Sequence, residues 1–383
     1  MILHLAADEK FIDSAIYQFE TTFPDQNVYY ILTNNVKKIK YVKLDNKNIR
    51  LAKETEDVLA EIVRKCENYK LIVLHGLDAF KSKVVLKSIP AVKFLWIIWG
   101  NEVYNNHRLF KYNILGNKTR KQYGQKLIIE RIKDIFRLLY FKFIFNEKPP
   151  EKLILKALKR INYMGSGIKE EYDLFFKYGI INAKYFKYLY YPIEYILQDQ
   201  IDKKVSSNNI MIGHSASITS NHLEIFEMIQ NVDLGDSKIY LPLSYGPKEF
   251  ANKIKQSAIN IFGEGVITLE DFLPLNQYNK IVQSCSIFLF NHYRQKAFGN
   301  IIVALWFGAR VYLNSQNIIL QSLINKGVTL FNIDNFIKDF KAKKLGLSTE
   351  IIKKNREILL QEYGENKLLN SLKAQLTEIL NES

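Results

Sequence analysis

The sequence predicts an α/β protein made of two doubly wound domains that face each other across a cleft. Three observations lead to this prediction. Short apolar runs rich in β-formers recur along the chain, polar loops and amphipathic stretches separate them, and the pattern restarts after a polar segment near the middle. Such alternation is typical of parallel sheets covered by helices on both faces. A chain of 383 residues is also long enough for two domains.

The N-terminal domain is predicted to span residues 1–200. An apolar run at 2–6 forms its first strand, and an amphipathic helix over 10–21 follows. Residues 48–66 carry helical spacing. The other strands of this domain are predicted at residues 28–33, 71–74, 93–99, 160–165 and 185–191.

The C-terminal domain is predicted to span residues 201–383, after the polar segment 198–209, which is typical of a linker. Its strands are predicted at residues 210–212, 238–241, 266–269, 287–290 and 311–313, and helices at 221–230 and 297–307. Residues 334–383 are predicted to be helical, and a return of these last helices onto the first domain is left open.

Residues 286–314 form one βαβ unit around which the second domain is organised. The loop at 291–296 lies at the carboxyl edge of a strand, where open α/β sheets bind ligands. The helix that follows opens with Gly299 and Asn300, and Arg294 and Lys296 precede it. Unpaired N–H groups at a helix start favour an anion, so we predict a diphosphate site. An ordinary strand, loop and helix with solvated charges is the alternative interpretation.

A second loop of the same domain follows the strand at 210–212. Gly213 permits close approach of the backbone, and Ser215 and Ser217 can donate hydrogen bonds to phosphate or sugar. The loop matches neither a dinucleotide fingerprint nor a P-loop, so the sequence supports neither a dinucleotide enzyme nor an ATPase.

The positive charge is concentrated in the first half of the chain. Residues 1–200 contain 34 lysines and arginines against 22 acidic residues, whereas residues 201–383 contain 20 against 17. Residues 107–148 alone contain 11 basic and three acidic residues, interleaved with large apolar side chains. We predict that this segment, including Arg131, Lys133 and Arg137, binds an anionic membrane surface. A helix packed on the sheet with a solvated basic face is the alternative.

Several classes of protein are excluded by the motifs that are missing. Cys66 and Cys285 imply no disulfide framework and fit a reducing compartment. The six histidines show no zinc-binding spacing, so no metal is expected, and His214 and His222 are more often capping or packing residues. No run of 18 apolar residues occurs, and no nucleic-acid module is recognisable.

Several strings carry a resemblance to a known family. They are Leu5-Ala-Ala-Asp8, His75-Gly76, Phe94-Leu-Trp-Ile-Ile-Trp-Gly100 with Tyr104, Ile212-Gly213 with Ser215 and Asn221-His222, Pro242 with Tyr245-Gly246, and Arg294-Gln295 with Gly299. In these strings the chain resembles glycosyltransferase family 56. Its members transfer 4-acetamido-4,6-dideoxygalactose from dTDP to a lipid-linked intermediate of enterobacterial common antigen.

The resemblance implies a GT-B fold of two facing Rossmann-like domains and a hexosyltransferase. No cofactor is expected, and the absence of a metal motif predicts that the enzyme is independent of metal. It implies a nucleoside-diphosphate sugar donor in the C-terminal domain and a polyprenyl-diphosphate-linked acceptor in the N-terminal domain. It places the enzyme peripherally at the cytoplasmic face of the bacterial inner membrane, with no nucleic acid as partner. The predicted donor-binding residues are Gly213, His214, Ser215, Tyr245, Arg294, Gln295, Gly299 and Asn300.

The acceptor side is expected to involve His75 and Trp99, and Glu102 and Asp8 are the candidates for a catalytic base. Helix capping or a surface position is the alternative role for both carboxylates. Where the family has Asn, Thr and Ala-Asp, this chain has His214, Asn300 and Asn101-Glu102. Two other functions stay open: a sugar-nucleotide epimerase of the same architecture, and a non-catalytic protein that binds membrane or nucleic acid.

Overall fold

Parallel β-sheets form the centre of both halves of the protein. The computed structural model describes residues 1–35, 38–105, 114–144 and 149–382; between residues 125 and 144 it describes the side chains of 132, 133, 136, 140, 141 and 143 only. The strands are β1 Ile2–Ala7, β2 Asn27–Leu32, β3 Ile49–Ala52, β4 Leu71–His75, β5 Phe94–Ile97, β6 Tyr163–Ser166, β7 Lys184–Lys187, β8 Asn209–Ile212, β9 Ile239–Pro242, β10 Val266–Leu269, β11 Cys285–Phe290, β12 Arg310–Leu313 and β13 Phe331–Asn332.

Helices connect almost every pair of consecutive strands. They are α1 Ile12–Thr22, α2 Glu56–Cys66, α3 Ala79–Lys87, α4 Asn101–Tyr104, α5 Asn117–Ile144, α6 Pro150–Leu158, α7 Lys169–Lys177, α8 Ile193–Leu197, α9 His222–Ile229, α10 Lys248–Phe262, α11 Leu275–Gln283, α12 Phe298–Phe307, α13 Ile318–Asn325, α14 Phe336–Lys341, α15 Thr349–Tyr363 and α16 Glu365–Asn381. Helices α2 and α3 begin at side-chain caps, because Thr55 accepts from the amide of Val58 and Asp78 from that of Lys81.

The described residues form two compact units. The first comprises Met1–Lys111, Glu130–Tyr191 and Glu365–Ser383, and the second comprises Tyr112–Ile129 and Pro192–Gly364. Each unit contains one of the sheets.

The first unit is built on a seven-stranded sheet with the order β3-β2-β1-β4-β5-β6-β7 among its described residues. All its pairings are parallel, so the central strands β1 and β4 are covered on both faces and consist almost entirely of apolar residues. Side chains of α2, α3 and α6 pack on one face, and those of α1 and α16 pack on the other. Helix α16 contributes Leu372, Leu376 and Ile379, and Glu382 beyond it pairs with Lys93 and Lys184.

The second unit is built on a six-stranded parallel sheet with the order β10-β9-β8-β11-β12-β13 in the described part of the chain. Helices α9, α10 and α14 cover one face of this sheet. Helix α12 contacts β12, and its side chains are buried around most of its circumference. The apolar run that predicted this helix therefore reflects burial on several sides.

The predicted α/β class with two doubly wound parallel sheets is confirmed, and the strand positions agree to within a few residues. Three details were wrong. The segment 48–66 is not one helix, because Ile49–Ala52 adds a strand at the edge of the first sheet. The strand predicted at 185–191 ends at Lys187, and the predicted linker at 198–209 already contains the first residue of β8.

Candidate functional site

Two loops meet at the carboxyl edge of the second unit's sheet, because the strands before them, β8 and β11, are hydrogen-bonded neighbours. His214 follows β8 and His292 follows β11. Nδ1 of His214 lies 3.1 Å from Nε2 of His292, and the two rings cross at 79°. The hydroxyl of the buried Ser215 lies 3.3 Å from the other ring nitrogen of His214. The imidazole pair therefore joins the two loops at the sheet edge.

Gly213 is required by the geometry of the first of these loops. Its φ is +68°, in the left-handed region that glycine adopts easily. A Cβ at this position would lie 2.6 Å from Nε2 of His222, the first residue of α9. Both ring nitrogens of His222 are buried, and neither has a hydrogen-bond partner among the described residues. His222 thus packs directly against the loop that was predicted to hold phosphate.

Positive groups dominate the electrostatics around the imidazole pair. Burial lowers the pKa values of His214 and His292 well below 6.5, and Lys296, His222 and Arg294 add to this effect; His214 also lowers the pKa of His292. Burial lowers the pKa of His222 to about 3, and Lys296 contributes. Burial also lowers the pKa of Lys296 itself well below 10.5, and the charge of Arg294 adds to this effect.

We call these five residues, His214, His222, His292, Arg294 and Lys296, the positive cluster after its two basic side chains; the lowered pKa values leave its three imidazoles uncharged near neutral pH. Nζ of Lys296 donates to the hydroxyl of Thr219 at 3.3 Å, which is a neutral acceptor. The charged groups that act most on Lys296 and on the imidazole pair are other cations and imidazoles. A bound anion would relieve their repulsion, so the cluster is suited to hold a negatively charged group.

The first turn of α12 adds backbone donors beside the positive cluster. Ala297 precedes this helix with φ of +61°, an uncommon conformation for a residue with a side chain. Its side chain cannot cap the helix, so α12 begins without a side-chain cap from the residue before it. Gly299 and Asn300 lie in this turn and are partly exposed, as is Gln295 in the preceding loop. The predicted donor-binding residues around Arg294 are therefore brought together.

Tyr245, the remaining predicted donor-binding residue, follows the neighbouring strand β9. Its side chain is 61% exposed, and its carbonyl accepts a hydrogen bond of 2.7 Å from the amide of Ala216. The loop after β9 is thus joined to the loop that contains Ser215. Tyr245 presents an accessible ring at the same sheet edge.

In the first unit, Asp8 at the end of β1 holds a neighbouring loop in place. Its carboxylate accepts hydrogen bonds from the backbone amides of Lys40, Tyr41 and Val42, at 2.7, 3.0 and 3.0 Å. Both carboxylate oxygens take part. Asp8 therefore holds the loop at 40–42 rather than the start of a helix, and its role as a base stays a prediction.

Glu102 lies in the short helix after β5 and is held by two tryptophans. Oε1 accepts one hydrogen bond from the indole of Trp96 at 3.1 Å and one from the backbone amide of Trp99 at 3.0 Å. Burial raises the pKa of Glu102, while these two bonds and the charge of Lys81 lower it, and burial outweighs them. A half-buried carboxylate with a raised pKa is suited to accept a proton near neutral pH.

His75 and Trp99 are joined through one side chain that the sequence analysis missed. Nδ1 of His75 and the indole N–H of Trp99 both bond to the hydroxyl of Tyr190, at 3.0 and 2.9 Å. His75 is 1% exposed, whereas Trp99 is partly exposed. Tyr190 follows a strand end and is flanked by other tyrosines, so no pattern distinguished it. The acceptor roles of His75 and Trp99 stay predictions.

The predicted membrane-binding residues fall on α5. Lys133 is exposed, and the side chains of Arg131 and Arg137 lie outside the described residues. Four large apolar side chains of this helix are at least half exposed: Ile132 at 50%, Phe136 at 67%, Tyr140 at 51% and Phe143 at 76%. In the described part of the chain, no helix is both long and apolar enough to cross a membrane.

His292 was also missed as a site residue. The loop that contains it was predicted to bind a ligand, but the contact with His214 depends on the pairing of β8 with β11, which local sequence does not encode. His222 was judged a packing residue, and its position against Gly213 agrees with that interpretation.

Comparisons with known proteins connect this geometry to one enzyme class. The family model for 4-alpha-L-fucosyltransferase, glycosyl transferase group 56, matches residues 162–356. A glycosyltransferase structure from Rickettsia africae is similar to the chain with a TM-score of 0.60 and 12% identity, over 100% of this chain and 99% of the other. A sucrose-phosphate synthase from Thermosynechococcus elongatus gives 0.64 and 9% over the full length of both chains.

HepE of Anabaena, in complex with UDP and glucose, has a TM-score of 0.61 and 9% identity, over 100% of this chain and 99% of that one. At such low identity these structures establish the fold alone, which is GT-B, as the resemblance implied. The family model spans half of the chain and includes β8, β11 and the positive cluster. The chain therefore belongs to glycosyl transferase group 56 and is a hexosyltransferase.

Proposed function

We propose that this enzyme transfers a 4-acetamido-4,6-dideoxyhexose from a dTDP-linked donor to a saccharide on polyprenyl diphosphate, during synthesis of a bacterial surface polysaccharide similar to enterobacterial common antigen. The observation that carries the proposal is the positive cluster beside the first turn of α12, which Ala297 does not cap. The family's description as a fucosyltransferase supports a 6-deoxyhexose donor. The UDP bound to HepE supports a nucleoside diphosphate as carrier.

The positive cluster would act on the leaving group. During transfer, the bond between the anomeric carbon and the diphosphate oxygen breaks, and negative charge grows on the diphosphate. Arg294 and Lys296 can form charge-assisted hydrogen bonds to it, and the amides of Gly299 and Asn300 can donate to the same oxygens. Fixed donors at the place where charge develops lower the barrier most. These donors would serve without a bound metal ion, and transfer should persist in a chelator.

The acceptor hydroxyl loses its proton as it forms the new bond to the anomeric carbon. Of the two candidate carboxylates, Glu102 is the better base, because its pKa is raised by burial. Asp8 already accepts three backbone hydrogen bonds, so its carboxylate oxygens are engaged by the loop at 40–42.

Helix α5 would contact the membrane surface. Ile132, Phe136, Tyr140 and Phe143 follow one another at intervals of four, four and three residues, so they share one face of the helix, and all four are exposed. Exposed aromatic and aliphatic side chains among basic residues are typical of helices that lie in the membrane interface. A polyprenyl-diphosphate acceptor would be found there, at the cytoplasmic face of the inner membrane.

The transfer reaction can be tested directly with dTDP-4-acetamido-4,6-dideoxygalactose and a polyprenyl-diphosphate disaccharide, with the product followed by mass spectrometry. We expect Arg294→Ala to lower kcat about 100-fold, the scale of losing one donor to a developing anion. Arg64→Ala is the matched control, because Arg64 is exposed on α2 in the other unit. Wild-type turnover in the Arg294 variant, or epimerisation of the donor without transfer, would contradict the proposal.

Membrane binding is tested separately by sedimentation with vesicles that contain phosphatidylglycerol. Phe136→Asp should lose binding, whereas Phe176→Asp, at a side chain that is 54% exposed on α7, should retain it. Replacing Arg131, Lys133 and Arg137 together by Glu should remove the salt-sensitive part, since each basic residue near an anionic surface contributes about 1 kcal/mol. Equal sedimentation of all variants would exclude α5 from membrane contact.

A further inference from the structure

A line of buried polar side chains crosses one apolar face of the first unit's sheet. His4 projects from the middle of β1 and is 0% exposed, and Asn27 at the start of β2 is also 0% exposed. Nε2 of His4 lies 3.2 Å from Oδ1 of Asn27, and its Nδ1 lies 3.2 Å from Nε2 of His75. Apolar residues of the same core surround the line. Buried polar groups are costly unless they are paired, so each bond in this line constrains the next.

The direction of every hydrogen bond in the line follows from its two ends. The amide nitrogen of Asn27 donates to the carbonyls of Phe19 and Phe23, so its oxygen must accept from His4. His4 then accepts from His75 on Nδ1, and Nδ1 of His75 is left to accept the proton of the Tyr190 hydroxyl. At the other end, the indole of Trp99 can only donate, and it does so to the oxygen of Tyr190.

Both imidazoles are neutral in this arrangement, because each donates one bond and accepts one. Burial is the main cause that lowers the pKa of His4 to about 3 and that of His75 well below 6.5. The ring of His4 also stacks on Tyr29, with centroids 4.5 Å apart. The line is therefore a relay with one donor direction, which begins at the indole N–H of Trp99 and ends at the amide oxygen of Asn27.

Trp99 is fixed by contacts on its ring as well as by Tyr190. It lies against the backbone of Gly76, where a Cβ would come within 2.6 Å of the ring, and Phe11 meets it edge-on at 5.0 Å. The backbone amide of the same residue donates to Oε1 of Glu102. The carboxylate of Glu102 thus takes its position from the turn that the relay holds.

We infer that Tyr190, backed by His75 and His4, is a positioning residue that fixes the Trp99 turn and thereby orients the carboxylate of Glu102 toward the acceptor hydroxyl. The inference rests on the proposed role of Glu102 as the base. Lys81 is the charged side chain that acts on Glu102 from α3; its Nζ donates to the carbonyl of His75 at 2.9 Å and pairs with Asp78 at 2.8 Å.

Tyr190→Phe tests the inference, because it removes the hydroxyl that links Trp99 to His75 and keeps the ring. We expect kcat to fall about 10- to 100-fold, with a donor KM close to wild type, as when a reacting group is misplaced. The apparent pKa of the acid limb in a plot of log kcat against pH should rise by about half a unit to one unit. The reason is that the hydrogen bond from the Trp99 amide, which favours the charged carboxylate of Glu102, becomes weaker.

Tyr188→Phe is the matched control, because its hydroxyl is buried and has no hydrogen-bond partner in the described part of the chain. It should keep the wild-type kcat and acid limb. Trp99→Phe removes the same bond from the donor side and should shift the limb as Tyr190→Phe does. If thermal unfolding shows that the Tyr190→Phe variant is not folded, the Trp99→Phe variant replaces it in the test.

The outcomes separate the inference from the proposed function. If Glu102→Gln retains wild-type kcat, the proposed transfer reaction stands, but the base is misassigned and the positioning role of Tyr190 falls with it. If Glu102→Gln is inactive but Tyr190→Phe and Trp99→Phe match the Tyr188 control in kcat and acid limb, the positioning role alone is refuted.

Discussion

Lys296→Met should weaken binding of the diphosphate and at the same time stabilise the free protein. The substitution keeps the length of the side chain and removes a charge that lies beside Arg294 and two imidazoles. In the free protein this charge is unfavourable, since burial and Arg294 both disfavour it. In the complex, its hydrogen bond to a phosphate oxygen is worth about 1.5–3 kcal/mol, which corresponds to a rise in Kd for dTDP of about 10- to 150-fold.

The sign of the stability change follows from the lowered pKa of Lys296. Between its native pKa and the unfolded value of 10.5, the unfolded chain binds more protons, so stability rises with pH across that interval. Below it, the full cost of the charge is present. The variant should therefore unfold at a higher temperature than wild type near neutral pH, and the difference should shrink as pH approaches about 10.

Calorimetric titration with dTDP and thermal unfolding without ligand measure the two effects on the same samples. Lys280→Met is the matched control, because Lys280 is exposed on α11 of the same unit. The control should change neither Kd nor the unfolding temperature by much. A Lys296 variant that binds dTDP as wild type does, or that is less stable than wild type, would refute an anion site at the positive cluster.

The pH dependence of stability and the geometry of the Gly213 loop give two further predictions. Because the native pKa values of His214 and His292 are depressed, the unfolded chain binds more protons below about pH 6.5, and the unfolding temperature should fall from pH 6.5 to 5. Added dTDP should reduce that fall, and an equal slope with and without dTDP would contradict the anion site. Gly213→Ala should lower stability by about 1–2 kcal/mol for the left-handed backbone alone, and by more for the contact with His222. Gly235→Ala, also at positive φ but with open space around it, isolates the backbone cost; equal losses would exclude the contact.

Much of the fold could be predicted because buried parallel strands appear in the sequence as short apolar runs. The runs at β1, β4 and β11 are buried on both faces, so burial alone sets their composition. β3 was hidden for the opposite reason. It is an edge strand whose residues are partly or fully exposed, and its pattern resembles the start of the helix that follows.

Site residues that lie close together in the sequence could be predicted, whereas contacts between residues that follow different strands could not. Arg294 lies a few residues before α12, whose first amides are the other predicted anion donors, so the local sequence was sufficient to predict that they lie together. The pairs His214–His292 and His75–Tyr190 join residues that are 78 and 115 positions apart. Only the order of strands in each sheet brings them together, and a single sequence does not encode that order locally.

The packing of α16 has a consequence for the order in which the nascent chain can mature. Leu372, Leu376 and Ile379 complete the apolar layer that also contains Phe19 and Phe186. These three residues follow the long segment of the second unit in the chain, so the layer stays incomplete until residues 192–364 have been synthesised. The first unit therefore cannot complete this apolar layer before the long segment of the second unit has been translated. Until then, the uncovered face of its sheet must be protected from contact with other chains.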